Sequence, residues 1–223
     1  MSILVYSDKQ TAAAAAATLI AAQLIEKPST VIGMDYDEAL HPVYASLAAM
    51  TGNGLLDWSR IRLFQLCEYL ISETASTSVR DRLFELLYEP AHLLAQQYYL
   101  PPRQSENWAL ACNDFEESIL SLGGMDIALL TIKDDGGLLF NGTGGDLAPI
   151  THVEAYKGAK AICAGLTTVM MAKKLVVIAT GKDKAQAVSR SLKGSVGDSV
   201  PASLLQLHAN AVFILDEEAA SML

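Results

Sequence analysis

The segment Leu175-Val176-Val177-Ile178-Ala179-Thr180-Gly181 decides the fold class of this chain. An unbroken apolar run rich in β-branched residues is typical of a strand that is buried on both faces, and such strands belong to parallel sheets. A glycine closes the run, a helical stretch begins near Lys184, and a further apolar run follows at 211–215. The order strand, helix, strand predicts a parallel βαβ unit.

The same alternation extends over the rest of the sequence. Asp8 precedes an alanine-rich helix, Ser78 precedes another, and a helix beginning at Trp108 ends at Gly123-Gly124. Because no linker or repeat divides the chain, we predict one α/β domain over residues 1–223. It is expected to be a Rossmann-like, doubly wound, mostly parallel sheet with helices on both faces. Its strands are predicted at 3–6, 30–34, 61–66, 125–132, 175–179 and 211–215.

Composition narrows the classes of partner. The 223 residues carry a net charge of −9 and no cluster of Lys or Arg, which argues against nucleic acid and against an anionic membrane. No signal peptide is recognisable, and no apolar run is long enough to span a bilayer. The cysteines Cys67, Cys112 and Cys163 are widely spaced and odd in number, so neither a disulfide framework nor a zinc site is expected. We predict a cytoplasmic protein.

Three segments resemble one known family. The loop Lys133-Asp134-Asp135-Gly136-Gly137-Leu138-Leu139-Phe140-Asn141-Gly142 is similar to the Gly-x-Gly-x-Asp-Gly-His-x-x-x-Asn-Glu loop of glucosamine-6-phosphate deaminases. The stretch Val200-Pro201-Ala202-Ser203-Leu204-Leu205-Gln206-Leu207-His208 resembles their Pro-Ala-Ser-x-Leu-Gln-Leu-His helix. Phe64-Gln65-Leu66-Cys67-Glu68-Tyr69 resembles their Phe-x-x-Asp-Glu-Tyr strand end. The chain thus resembles the glucosamine-6-phosphate deaminase/isomerase and 6-phosphogluconolactonase family.

This resemblance implies a function in carbohydrate metabolism. The expected activity is isomerisation and deamination of glucosamine 6-phosphate or galactosamine 6-phosphate, and a 6-phosphogluconolactonase-like hydrolase is a further alternative. The implied partner is a small sugar phosphate or a related carbohydrate, and neither a cofactor nor a metal is expected. Since the family includes both monomers and hexamers, a homo-oligomer remains possible.

The resemblance also implies a set of substrate-binding residues. Lys184 matches a lysine that reaches the substrate phosphate in the family, and it lies near a helix N-terminus, which favours an anion. Gly33 lies in the family's second strand. Gly136 and Asn141 keep the family identity in the loop after the fourth predicted strand, where Lys133 replaces a glycine and could place a positive charge in the cleft.

The catalytic candidates are Asp135, Cys67 and Glu68. In the family an aspartate moves a proton between adjacent carbons, and Cys67 stands at its position with Glu68 beside it. Asp135 matches the aspartate that orients a relay histidine, but Gly137 stands where that histidine would be. Two hypotheses follow from these replacements. The chain is either an enzyme of this family, acting on an amino sugar phosphate, as a lactonase or on a changed substrate, or a catalytically inactive relative that serves as a sugar or sugar-phosphate sensor or an interaction protein.

Two further segments differ from the family pattern. Asp35, Asp37 and Glu38 stand where the family has a Gly-rich phosphate loop. These carboxylates either cap a nearby helix or form a site for a neutral ligand, a cationic ligand or a metal ion. The stretch 146–157 is shorter than the family's lid segment and lacks its arginine, so a more open site is expected.

Overall fold

The computed structural model describes residues 1–70, 78–144 and 147–223. Within those ranges the chain forms the strands β1 (Ser2–Tyr6), β2 (Val31–Met34), β3 (Arg62–Gln65), β4 (Cys67–Tyr69), β5 (Tyr98–Tyr99), β6 (Ile127–Thr131), β7 (His152–Tyr156), β8 (Ala159–Cys163), β9 (Leu175–Ala179) and β10 (Ala211–Asp216). The α-helices of the same ranges are α1 (Lys9–Glu26), α2 (His41–Gly52), α3 (Val79–Leu83), α4 (Trp108–Ser121), α5 (Leu166–Met170) and α6 (Ala185–Lys193).

The main sheet has seven strands in the order β1-β10-β9-β6-β2-β3-β5. Each neighbouring pair is parallel. All residues of β2, β6 and β9 are buried, which requires that both faces of the sheet are covered. The predicted Rossmann-like, mostly parallel α/β fold is therefore confirmed, and each of the six predicted strands is present with ends that shift by no more than two residues.

Helix starts follow the predicted capping residues. Asp8 Oδ1 accepts a hydrogen bond from the backbone N–H of Thr11 at 2.8 Å, and this bond contributes most to a pKa of Asp8 lowered to about 2. Ser78 Oγ accepts from the N–H of Asp81 at 3.3 Å at the start of α3. The alanines of α1 that face the sheet are fully covered, because small side chains let a helix pack closely against strands.

A second sheet is the main feature that sequence patterns did not predict. It has three antiparallel strands in the order β4-β8-β7. Leu66 joins the two sheets, since its N–H donates to Met34 O at 3.0 Å and its carbonyl accepts from Ala164 N–H at 2.8 Å. The strand predicted at 61–66 consequently continues, after Leu66, as β4 of the second sheet.

The segment that resembles the family's Pro-Ala-Ser helix differs from the expectation. Residues Pro201–Leu207 form a 3₁₀-helix. Ala202 N–H donates to Gly136 O at 3.0 Å, so this segment packs against the loop after β6. Among the described residues, no helix is both long enough and apolar enough to cross a membrane.

Gly33 lies within β2, where it is enclosed by neighbouring side chains. A Cβ atom at this position would lie 2.5 Å from Met125 Sδ and 3.1 Å from Leu66 Cδ1. Close packing therefore explains why this position has no side chain. Gly33 does not line the large cleft at the carboxyl ends of the strands.

We expect Gly33→Ala to lower the free energy of unfolding by about 1–3 kcal/mol, because the added methyl group overpacks the core. Urea denaturation measures this change. Gly52→Ala is the control, since no atom lies within 4 Å of a Cβ placed there, and it should be neutral or stabilising. Equal stability of Gly33→Ala and the unchanged protein would contradict the packing described for β2.

Candidate functional site

A cleft of about 960 Å³ lies at the carboxyl ends of the main-sheet strands. Residues that follow β2, β6 and β9 line it, as do residues of the β7–β8 hairpin. Ligands bind at this edge in open α/β sheets, because several loops converge there. The lining includes Tyr36, Asp37, Tyr69, Lys133, Asp134, Asp135, Phe140, Tyr156, Thr180 and Lys184.

The acidic loop after β2 points one carboxylate into the protein and another toward the cleft. Asp35 is fully buried, and it accepts hydrogen bonds from the N–H groups of Tyr36 at 2.7 Å and Thr131 at 3.2 Å. Asp37 caps a short 3₁₀-helix by accepting from Ala39 N–H at 3.0 Å. The capping alternative is therefore realised at Asp37, whereas Asp35 joins the ends of β2 and β6.

Lys133 forms ion pairs with two carboxylates of this loop. Its Nζ lies 3.0 Å from Asp37 Oδ2, 3.8 Å from Asp35 Oδ1 and 3.2 Å from Tyr36 O. Burial by itself lowers the pKa of Lys133, but the charges of Asp35 and Asp37 outweigh it, so the pKa is raised and the ammonium group stays charged. Burial raises the pKa of Asp35, although Lys133 opposes that shift. The loop after β2 thus binds a lysine of its own chain.

Lys184 is the second nearly buried lysine of the cleft lining. Only 6% of its side chain is exposed, and its Nζ forms an ion pair with Asp134 Oδ1. The Asp134 side chain is 72% exposed, so this carboxylate can leave the lysine without a burial penalty. Nearby, the hydroxyl of Thr180 is buried and has no hydrogen-bond partner among the described residues. Lys184 is thus a nearly buried cation at the cleft whose ion-pair partner is an exposed carboxylate.

The loop after β6 is closed by its own hydrogen bonds. Asp135 Oδ1 accepts from Gly137 N–H at 2.8 Å, and Lys133 N–H donates to Gly137 O at 3.0 Å. A Cβ atom at Gly137 would lie 2.8 Å from Asn141 O and 3.0 Å from Asp135 Oδ1. This backbone therefore leaves no room for a side chain at position 137, and Asp135 orders the turn at the edge of the cleft.

Gly136 and Asn141 serve the loop's internal packing. Gly136 has a φ of +93°, and a Cβ atom there would lie 2.8 Å from Val200 Cγ1. The buried amide of Asn141 donates at 3.1 Å to the carbonyl oxygens of Leu138 and Ala164 and to Cys163 Sγ. Neither residue lines the cleft, so neither is placed to contact a ligand in this conformation.

Cys67 and Glu68 lie outside the lining of the cleft. Cys67 is fully buried, its Sγ lies 3.9 Å from Asp35 Oδ1, and burial raises the pKa of the thiol well above its usual value. Glu68 is also buried. Its carboxylate accepts hydrogen bonds from Gln65, Tyr69, Ser78, Val79 and Arg80. Glu68 thus anchors the start of α3 to the second sheet.

Three aromatic side chains form one wall of the cleft. Phe140 and Tyr156 stack with ring centroids 4.3 Å apart, and Tyr69 lies 4.9 Å from Phe140. Lys157 Nζ lies 5.4 Å from the centroid of Tyr156. The β7–β8 hairpin carries Tyr156 and Lys157 to this position. The short segment that was expected to leave the site open thus contributes a wall to it.

The structure separates the sequence-based candidates into two groups. Lys133, Asp135 and Lys184 line the cleft together. Gly33, Cys67, Glu68, Gly136 and Asn141 lie outside its lining. The aromatic wall and the pairing of Lys133 with Asp35 and Asp37 were missed, because both depend on which strands become neighbours.

Comparisons with known proteins identify the family of this chain. The model of the family described as glucosamine-6-phosphate isomerases/6-phosphogluconolactonase matches residues 7–214. The chain belongs to this family. A glucosamine-6-phosphate deaminase of Shewanella woodyi is 32% identical over 241 aligned residues, covering 100% of this chain and 91% of that protein. One of Clostridium novyi is 30% identical, with 100% of both proteins covered.

Solved structures of the glucosamine-6-phosphate isomerase/6-phosphogluconolactonase family share the fold. A monomeric glucosamine-6-phosphate deaminase superposes with a TM-score of 0.93 at 25% identity, and the match covers 100% of both chains. A 6-phosphogluconolactonase from Trypanosoma brucei gives a TM-score of 0.83 at 19% identity, covering 100% of this chain and 98% of the other. At that identity the second likeness concerns the fold alone.

We expect Lys133→Met to lower the free energy of unfolding by about 3 kcal/mol at pH 7, because it leaves the buried Asp35 without its cation. Burial already raises the pKa of Asp35 above its ordinary value. The folded variant therefore holds a proton more tightly than the unfolded chain, and the deficit should shrink as the pH falls from 7 towards about 4.

Urea denaturation across this pH range measures the effect of Lys133→Met. Lys182→Met, at an exposed lysine, is the matched control and should change stability by less than about 0.5 kcal/mol. A deficit that is absent, or that grows on acidification, would show that Lys133 does not neutralise Asp35.

Proposed function

We propose that this chain is a cytoplasmic sugar-phosphate-binding protein that lacks the aldose–ketose proton transfer of its family. The observation that carries the proposal is the position of Lys184, a nearly buried cation at the cleft whose partner, Asp134, is an exposed carboxylate. A phosphate dianion offers Lys184 more charge and more acceptor oxygens than a single carboxylate does. Binding would then exchange Asp134 for the ligand.

The rest of the cleft suits the sugar moiety. Carbohydrate rings pack on aromatic side chains through their C–H faces, and Tyr69, Phe140 and Tyr156 form such a wall. Carboxylates at Asp37 and Asp135 border the same space, where they can accept hydrogen bonds from hydroxyl or ammonium groups. An amino sugar phosphate, with a cation at one end and an anion at the other, matches this distribution of charge.

Two features support the absence of proton transfer. The thiol of Cys67 is fully buried and its pKa is raised by burial, so it is neither accessible nor a thiolate at neutral pH. The backbone around Gly137 excludes a side chain there. A general base must come within hydrogen-bond reach of the proton that it removes, and neither position offers one.

A second candidate function is turnover of an amino sugar phosphate by isomerisation and deamination. The 30–32% identity to glucosamine-6-phosphate deaminases over the whole chain favours it. In that case Asp135, the carboxylate at the edge of the cleft, is our candidate for the base. An ammonia-release assay separates the two functions, because the binding proposal expects no release.

Calorimetric titration tests the binding proposal. Glucosamine 6-phosphate should bind, whereas glucosamine should bind at least about tenfold more weakly, since it lacks the group that contacts Lys184. Lys184→Ala should lower the affinity for the phosphate ester by a similar factor. Asp134→Asn should raise that affinity, because it removes the competing carboxylate.

Lys182→Ala is the matched control for Lys184→Ala. Lys182 precedes the same helix but is exposed, and its replacement should leave the affinity unchanged. Equal affinity for glucosamine and its phosphate ester, or an equal loss in both lysine variants, would contradict the assignment of Lys184 to the phosphate.

A further inference from the structure

The β7–β8 hairpin brings together three side chains that ligate metals. His152 and Cys163 are cross-strand partners in the register, and Glu154 lies two residues beyond His152 on β7. Alternate residues of a strand share a face, so all three side chains lie on one face of the small sheet. Their ligand atoms lie within 4.8 Å of one another.

The imidazole of His152 turns its Nε2 toward this cluster. Its Nδ1 lies 3.0 Å from Ile150 O, and a carbonyl oxygen can only accept, so Nδ1 carries the hydrogen. The other nitrogen, Nε2, lies 3.4 Å from Glu154 Oε1. Histidines that bind metals are commonly oriented in this way, by a hydrogen bond from the second ring nitrogen to a carbonyl group.

Glu154 turns one carboxylate oxygen toward the same point. Its Oε1 is buried and accepts no hydrogen bond from the described residues, and His152 Nε2 lies within ion-pair distance of it. An unsatisfied carboxylate oxygen in a buried position is unfavourable unless a cation or a donor meets it. Oε1 is the same oxygen that faces His152 Nε2, so a cation between them would satisfy both atoms.

Neighbouring residues hold the cluster in place. Asn141 Nδ2 donates to Cys163 Sγ at 3.1 Å, which fixes the position of the sulfur, and burial raises the pKa of this thiol well above its usual value. Glu116 Oε1 accepts from Thr151 N–H at 2.7 Å and from the Thr168 hydroxyl at 2.7 Å, which fixes the start of β7. The His152 and Glu154 side chains are 20% and 25% exposed, so an ion can enter from solvent.

We propose that His152, Glu154 and Cys163 form a binding site for a zinc ion. Nitrogen, carboxylate oxygen and thiolate sulfur are the ligands that Zn²⁺ takes in proteins, and three of them leave a fourth tetrahedral position for water. Binding would displace the thiol proton of Cys163 to solvent and form the sulfur–zinc bond in its place. The ion would tie β7 to β8 and so steady the hairpin that carries Tyr156 to the cleft.

Zinc titration of the full chain tests this site. Bound metal is first removed from the tag-free protein with a chelator, and the protein is kept in a phosphine reductant. Zinc is then added in the presence of a chromophoric zinc indicator, which competes with the protein for the ion. The reductant is needed because Cys67 and Cys163 face each other in the register of β4 and β8. We expect one zinc ion per chain. Cobalt in place of zinc should give the thiolate-to-metal absorption band of a cysteine ligand.

Matched variants assign the ligands. His152→Asn and Glu154→Gln, at partly exposed positions, should each weaken zinc binding at least about tenfold, and Cys163→Ser should abolish the cobalt–thiolate band. His92→Asn and Cys112→Ser should leave both readouts unchanged. The asparagine is chosen because residue 92 has a φ of +54°, which asparagine tolerates.

Three results would overturn the proposal. The first is that the protein takes no zinc from the indicator. The second is that neither His152→Asn nor Glu154→Gln changes the zinc affinity. The third is that the cobalt complex lacks the thiolate band. Circular dichroism of Cys163→Ser shows whether that variant is folded, and the two variants at partly exposed positions keep the test decisive if it is not.

Discussion

The ion pairs of Lys133 with Asp35 and Asp37 connect the loops after two neighbouring strands of the main sheet. A fully buried carboxylate requires a compensating charge or several donors, and Asp35 has both, since Lys133 and two backbone N–H groups surround it. This arrangement gives the loop after β2 a cation from its own chain. Where the family resemblance places a phosphate-holding loop, this protein has an acidic loop that is paired with its own Lys133.

In the proposed function, the ligand is recognised on the other side of the cleft. Lys133 is already paired with Asp35 and Asp37. Lys184 is also nearly buried, but its partner Asp134 is exposed, so we propose Lys184 as the cation that an anion can reach. The β7–β8 hairpin supplies the aromatic wall. Its own position depends on Leu66, where the backbone passes from the main sheet to the small one. The charge pattern and the hairpin together define which ligand the cleft can accept.

Much of the fold could be predicted from sequence because it depends on local patterns. The run at 175–179 is a strand with those same ends, and Asp8 and Ser78 cap the predicted helices. The β7–β8 hairpin was missed because its half-buried residues show no continuous apolar run, and it pairs with β4, far away in the chain.

Less of the candidate site than of the fold could be predicted from the sequence. Lys133, Asp135 and Lys184 were placed at the cleft by resemblance, and they line it. The roles of Cys67 and Glu68 could not be inferred in the same way, because burial and the partners of Glu68 appear only once α3 packs against β4. The pairing of Lys133 with Asp37 likewise depends on β2 and β6 lying side by side.

We propose that the cleft binds an amino sugar phosphate without moving its C2 proton. The most direct measurement is proton NMR of glucosamine 6-phosphate incubated in D₂O with saturating protein, because aldose–ketose proton transfer exchanges the C2 hydrogen for deuterium. We expect the C2 proton signal to persist while the sugar is bound. Loss of that signal, suppressed by Lys184→Ala, would contradict it.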